Sequence, residues 1–173
     1  ASERSGDREE LIAPDSGGQS GPAPVVRDFQ SFTEEANYIV RLFKRMHNER
    51  GLEWRSMSAL YCHNWMGKTL ADLFTLEGIP VQWMKGSAEK RDFSIGENSV
   101  KLMTMHSSKG LEFPTVAVSG VGYMPMSSVD PIAEAKLLYV AMTRAKQSLS
   151  LVAPLRYHVT QQRRDGDKHV YGA

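Results

Sequence analysis

Two stretches of this chain carry more polar chemistry than a core needs. Val100 to Phe113 reads V-K-L-M-T-M-H-S-S-K-G-L-E-F, and Glu134 to Ala145 reads E-A-K-L-L-Y-V-A-M-T-R-A. Each is an apolar run, suited to a buried strand or helix, that ends in a cluster of polar groups. Thr104 and His106 lie two residues apart, so a continuous strand would put both on one face. Both can donate hydrogen bonds to phosphate oxygens, contacts that position a nucleic-acid strand without reading its sequence. Ser107, Ser108, Lys109 and Gly110 follow. Glycine permits positive φ or close backbone approach, and exposed amides beside a lysine can cradle an anion. Glu112, between Leu111 and Phe113, has the place of a carboxylate on the solvent side of a strand. Arg144 stands just past an apolar helical run. A cation there either complements the helix dipole, worth about 0.3–1 kcal/mol, or offers a planar, always charged fork to phosphate oxygens. Residue types alone leave the plainer roles open: local backbone satisfaction for Thr104 and His106, a polar turn for Ser107 to Gly110, a helix-end cation for Arg144.

Gly67-Lys68-Thr69 is a third candidate, because it follows an apolar run and opens a helical one, as a phosphate-binding P-loop does. The full motif needs a glycine five positions before Gly67, where Cys62 stands. Trp65 and Met66 are bulky where such a loop must wrap closely. His63, Trp65 and Trp83 have no partner cluster of His, Cys or acidic residues with metal-ligand spacing. Arg156, Arg163, Arg164, Lys168 and His169 make a basic C-terminal tail. It reads as solvated, with a DNA-backbone role as the alternative.

Those groups need a scaffold. Val25 to Phe29 has the pattern of a short strand. Ser31-Phe-Thr-Glu34 offers a capping box, with Thr33 an equally good cap, and the helix it opens runs to about Arg50, closed by Gly51. Ala36, Ile39, Val40, Phe43 and Met46 form its apolar stripe. Met57 to Cys62 is a short apolar strand. Met66 to Glu77 is a helix with Leu70, Leu73 and Phe74 inward and Gly78-Ile79-Pro80 as its stop. Val81 to Met84 is a strand and Gly86 to Ser99 a polar connection. Val100 to Met105 and Pro114 to Ser119 are strands joined by the loop from Ser107 to Glu112. Asp130-Pro131 is an N-cap with proline at the first helical position, opening a helix to about Thr143, and Ser148 to Ala153 is the last strand. Such alternation implies βαβ units: an α/β fold with a mostly parallel sheet and helices on both faces. Ligands in such sheets sit at the carboxyl ends of strands, and the loop after Met105 falls at such an end.

The chain has 173 residues, 41% hydrophobic and 24% charged, which suits one soluble domain with a real core. Residues 1–23 are rich in Gly, Ser, Pro and acids and read as a flexible linker or arm. Residues 24–155 read as the folded domain and 156–173 as the basic tail. A single cysteine, Cys62, fits a reducing compartment. The polar, acidic N-terminus and the lack of a run near the roughly 18 apolar residues of a membrane span point to a cytoplasmic protein with no membrane partner. The net charge is only +1, whereas a freestanding nucleic-acid binder usually has a clear basic excess. Any nucleic-acid binding must then come from a local site or a partner domain.

The two opening stretches resemble motifs V and VI of the UvrD/Rep family of superfamily 1 DNA helicases, densely over Val100 to Leu151 and more loosely back to about Pro22. The resemblance implies a RecA-like C-terminal motor domain (2A-type) of an ATP-dependent DNA helicase. It implies that Thr104 and His106, with Ser107 and Lys109, contact the backbone of single-stranded DNA. It implies that Glu112, in the loop with Gly110, holds the ribose hydroxyls of ATP, and that Arg144 reaches the γ-phosphate, with Tyr139 packed beneath it. ATP and Mg2+ would be bound mainly by an N-terminal RecA-like motor domain of the same polypeptide. That domain carries the P-loop, the magnesium-binding acids and motif IV, and the chain reads as starting after motif IV. The family often inserts a helical subdomain, 2B, before motif V; here Ser87 to Val100 is too short for one. In the family the stretch from Ala59 to Asn64 commonly carries arginine where this chain has Cys62. On this reading the isolated chain hydrolyses no ATP. The alternatives are a catalytically silent nucleic-acid or protein binding module with a RecA-like fold and, third, an independent P-loop NTPase.

Overall fold

A computed structural model of the chain describes residues 22–85, 93–124 and 130–154. The N-terminal arm, the basic tail and the start of the polar connection lie outside the described residues.

Six strands form one sheet in the order β1-β6-β5-β2-β4-β3, every pair parallel. They are β1 (Val25–Phe29), β2 (Met57–Tyr61), β3 (Val81–Trp83), β4 (Val100–Thr104), β5 (Phe113–Ser119) and β6 (Ala145–Pro154). The central strands β2 and β5 are buried almost throughout, as continuous apolar runs in a doubly covered sheet must be. Helices α1 (Phe32–Arg50) and α2 (Asn64–Leu76) cover one face. Ala36, Ile39, Phe43, Leu70 and Phe74 pack there on Met57, Ala59, Tyr61, Val100 and Leu102. Helix α3 (Pro131–Met142) covers part of the other face, with Leu137, Leu138 and Ala141 against Leu60, Met103, Val116 and Val118. Alternate residues of β2, β4 and β5 feed the two clusters, as the two-residue period of a strand requires.

Local chemistry sets the element ends. Ser31 is the N-cap of α1: its hydroxyl accepts from Glu34 N at 3.3 Å, while Glu34 reaches back to the amide of Gln30 at 3.0 Å. The expected capping box is thus displaced by one residue on its return arm. Gly51 closes the helix at φ 66°, its amide bonded to His47 O. Asp130 caps α3 through Ile132 N, followed by Pro131.

Helix α2 begins two residues earlier than its sequence pattern suggests. Gly67 therefore lies inside the helix, and a Cβ there would sit 2.6 Å from the Tyr61 ring and 2.7 Å from Trp83 Nε1. The glycine admits the pair formed by Trp83 Nε1 donating to Tyr61 Oη at 2.7 Å. Lys101 of β4 is wholly buried, which lowers its pKa. Its ammonium donates to Gln82 Oε1, Ser99 Oγ and Glu97 O, all at 2.9 Å, the full satisfaction that a buried lysine needs.

Strand β6 starts at Ala145, before the expected Ser148. Phe113 pairs with Ala145 and Thr115 with Ser148, so β6 holds one extra residue there, a bulge at the amino end of the sheet. The polar Lys146-Gln147 segment hid this part of the strand from a reading based on apolar runs.

Candidate functional site

The expected site residues do not form one site. Thr104, Tyr61 and Ser119 are register partners at the carboxyl edge of the sheet. Glu112 and Arg144 directly precede the paired residues Phe113 and Ala145 at the amino edge. β5 separates the two edges, a span of about 20 Å at roughly 3.3 Å per residue. The segment after Met105 does not stay at a carboxyl end, as the sequence suggested. It crosses the face shared with α3, with Met105 and Leu111 packed in that cluster, and delivers Glu112 to the opposite edge. Gly110 makes this crossing possible at φ 83°, where nothing would obstruct a Cβ and only the backbone angle selects glycine.

At the amino edge, Phe113 N donates to Arg144 O at 2.9 Å and locks the two segments together. Arg144 Nε donates to Val140 O at 3.0 Å, Nη2 to Thr143 Oγ1 at 3.1 Å and Nη1 to Leu111 O at 3.4 Å. All three acceptors are neutral. The guanidinium is oriented, and its charge is in no ion pair among the described residues. Glu112 Oε2 meets Lys146 Nζ at 2.7 Å. That hydrogen bond and charge, with the Arg144 charge in support, hold the Glu112 carboxyl below its usual pKa. Lys146 was missed in the sequence. The bulge in β6 brings it to the carboxylate, and no apolar pattern marks a bulge. Tyr139 is 53% exposed and does not pack beneath Arg144. The inward positions of α3 are held instead by Leu137, Leu138 and Ala141.

The donor set is one carboxylate acceptor beside two cations, able to take hydrogen bonds from hydroxyls and to face an anion. It does not fit a magnesium site, since no group of three or more metal-ligating side chains occurs among the described residues.

At the carboxyl edge, β4 ends at Thr104. The Thr104 hydroxyl donates to Ser107 Oγ at 2.9 Å and accepts from Ser107 N at 3.1 Å, a local competition that ends a strand. His106 therefore lies in a turn, exposed, and strand alternation does not put it on the face of Thr104. The amides here do not form an open anion cradle either. Ser108 N bonds to Thr104 O, Lys109 N to His106 O and Leu111 N to Ser108 O. The Ser108 hydroxyl, buried, donates to Met105 O at 2.7 Å. Lys109 is exposed. His106 shares a cavity of about 110 Å³ with Cys62, His63, Met124 and Glu134. Phe32, Trp65, Tyr123 and His63 form a chain of edge-on aromatic contacts beside it.

Gly67-Lys68-Thr69 is not a P-loop. Its backbone is helical, Lys68 is tied to Asp72 at 2.6 Å one turn on, and Gly67 serves the Tyr61–Trp83 pair. Cys62 donates to Gly120 O at 3.4 Å, and burial pushes its thiol up to about 12. No described helix is long and apolar enough to cross a membrane.

Residues 86–154 match the model of the UvrD-like helicase C-terminal domain. The chain is 31% identical over 141 residues to the ATP-dependent DNA helicase Rep of Salmonella typhimurium, covering 75% of this chain and 20% of Rep. It thus spans about a fifth of the length of that relative. Among solved structures it resembles the C-terminal domain of a possible DNA helicase from Lactobacillus plantarum, with a TM-score of 0.61 at 21% identity over 78% of this chain and 75% of that one. It also resembles domain 2 of the DEAD-box helicase Mss116p, crystallised with an RNA duplex, with a TM-score of 0.52 at 16% identity over 76% of this chain and 54% of that one. Both structural likenesses support a RecA-like fold. Sequence and fold agree on a RecA-like domain whose residues 86–154 match the UvrD-like helicase C-terminal domain and whose sequence is related to Rep.

Proposed function

We propose that this domain is the second motor half of an ATP-dependent DNA helicase, with a nucleotide-facing amino edge and a DNA-facing carboxyl edge. The observation that carries the reading is the meeting of Glu112 and Arg144, 32 residues apart in sequence, through the bond from Phe113 N to Arg144 O. When bound between two motor halves, ATP supplies the phosphoryl group whose transfer drives the cycle. Glu112 offers Oε1 to the sugar hydroxyls while Lys146 holds Oε2. Arg144 is turned from its carbonyl acceptors toward developing phosphate charge, the kind of preorganised cation that lowers such barriers most. At the other edge Thr104, His106, Ser107 and Lys109 face the backbone of single-stranded DNA. The partner half of the motor belongs to the same polypeptide and brings the P-loop and the magnesium ligands.

The test uses the polypeptide that joins this domain to its N-terminal motor half. Arg144→Ala is expected to lower DNA-stimulated ATP turnover by about 10³-fold or more while leaving DNA binding in place. The domain alone is expected to show no turnover. Turnover by the isolated domain that vanishes in Lys68→Ala would overturn the reading.

A further inference from the structure

Among the described residues, Glu35 carries the one buried side-chain oxygen or nitrogen without a hydrogen-bond partner. It lies on the inner stripe of α1 with no exposed surface. Its Oε1 accepts from Gly120 N at 2.6 Å and from Ser119 Oγ at 2.8 Å, while Oε2 is buried with no hydrogen-bond partner. No cation pairs with it among the described residues. A buried carboxylate with an empty oxygen is a cost, and stability alone would select against it.

What it holds is the exit of β5. Gly120 sits there at φ 78°, and a Cβ would come within 2.6 Å of Met66 Sδ and 3.0 Å of Cys62 Sγ. The same Gly120 takes the Cys62 thiol through its carbonyl and starts the turn Val121–Tyr123. Tyr123 in turn meets His63 and Trp65 edge-on. The cavity beside His106 is walled by Cys62 and His63. A single carboxylate oxygen thus fixes the segment on which that wall rests.

We propose that Glu35 is a positioning residue for the carboxyl edge: by clamping Ser119 and Gly120 it sets Tyr123, Cys62 and His63 around the cavity that His106 lines. Its bearing on DNA rests on the reading of that edge given above; the clamp itself does not. Burial raises the Glu35 carboxyl to about 7, against the pull of its two donors. The titratable groups facing this region are Cys62, just after β2, His63 and His106 of the cavity wall, Tyr123, and Glu134 of α3; both Glu35 and Glu134 push the Cys62 thiol upward. The clamp therefore changes charge near neutrality.

Cys62 is the only cysteine of the chain, so its alkylation by iodoacetamide under native conditions reads the clamp directly. In the full chain, Glu35→Leu is expected to raise the alkylation rate about tenfold or more, the size of effect from losing a charge-assisted hydrogen bond. Glu35→Gln keeps an acceptor oxygen and is expected to stay near the parent rate. After correction for thiolate fraction, the parent rate should step near pH 7 and the Glu35→Gln rate should not. If Glu35→Leu does not fold, Ser119→Ala removes one donor and should raise the rate several-fold. Equal rates in all folded variants, or the same pH step in Glu35→Gln, would overturn the proposal. Binding of fluorescent oligo-dT is measured in parallel. Altered alkylation with no DNA binding by the parent would leave the clamp standing and sink the DNA reading instead.

Discussion

The two edges of the sheet solve opposite problems. The amino edge leaves charge in reserve: Arg144 is aimed by neutral acceptors, and Glu112 has one oxygen engaged by Lys146. The carboxyl edge is already closed on itself: Thr104 with Ser107, Ser108 with Met105 O, Glu35 with Ser119 and Gly120. The first suits a group that arrives with its own negative charge. The second suits a surface whose shape must persist, with exposed His106 and Lys109 as its outward donors.

That contrast can be broken by mutation, and the expected effects fall in a clear order. Arg144→Ala should remove about 4 kcal/mol or more of transition-state stabilisation in the complete motor, the equivalent of the 10³-fold loss, while the melting temperature of the domain shifts little. Steady-state ATPase and a thermal melt separate the two.

Glu35 comes next. Its carboxyl is raised in the folded state to about 7 from 4.5, so the folded state holds the proton more tightly. Its contribution to stability is fully present below about pH 4.5 and is lost as pH rises through about 7. The loss is on the order of 3 kcal/mol. Urea unfolding at pH 5 and pH 8 should show this difference in the parent and not in Glu35→Gln.

Gly120→Ala should destabilise by about 1–3 kcal/mol, through positive φ and overpacking against Met66, and should weaken DNA binding more than it affects the ATPase. His106→Ala should cost roughly 1 kcal/mol of DNA affinity, about fivefold, without changing stability or nucleotide affinity. Lys68→Ala, on exposed helix surface, should stay within about 0.5 kcal/mol in every assay. A nucleotide effect there would revive the P-loop reading.

Much of this was legible in the sequence. The apolar stripe of α1 and the buried run of β2 follow from periodicity, and all five stripe residues named from it are buried. Asp130-Pro131 announced α3. Glu112 and Arg144 could be named only through the resemblance to motifs V and VI, since residue types alone allow a strand-face carboxylate and a helix-end cation. Their adjacency could not be read, since it depends on the pairing of Phe113 with Ala145, a register no local pattern encodes. For the same reason the sequence places the whole loop after Met105 at a carboxyl end, whereas its far end reaches the amino edge. Lys146 was hidden by a bulge, and Tyr139 was read as packed although its helix presents it to solvent. Glu35 was invisible because a glutamate beside a capping residue reads as first-turn helix chemistry. Only the tertiary structure brings Ser119 to it.

Strand β1 forms its ladder with β6, from Val25 opposite Ser150 to Phe29 opposite Pro154. Among the described strands of this domain, the first to leave a ribosome therefore waits for the last before it has a neighbour. Until then its exposed valines, Val25 and Val26, are an unpaired template of the kind that seeds aggregation. A half-made domain is the vulnerable species, and holding Val25–Phe29 apart until Pro154 has emerged is where a chaperone would help most.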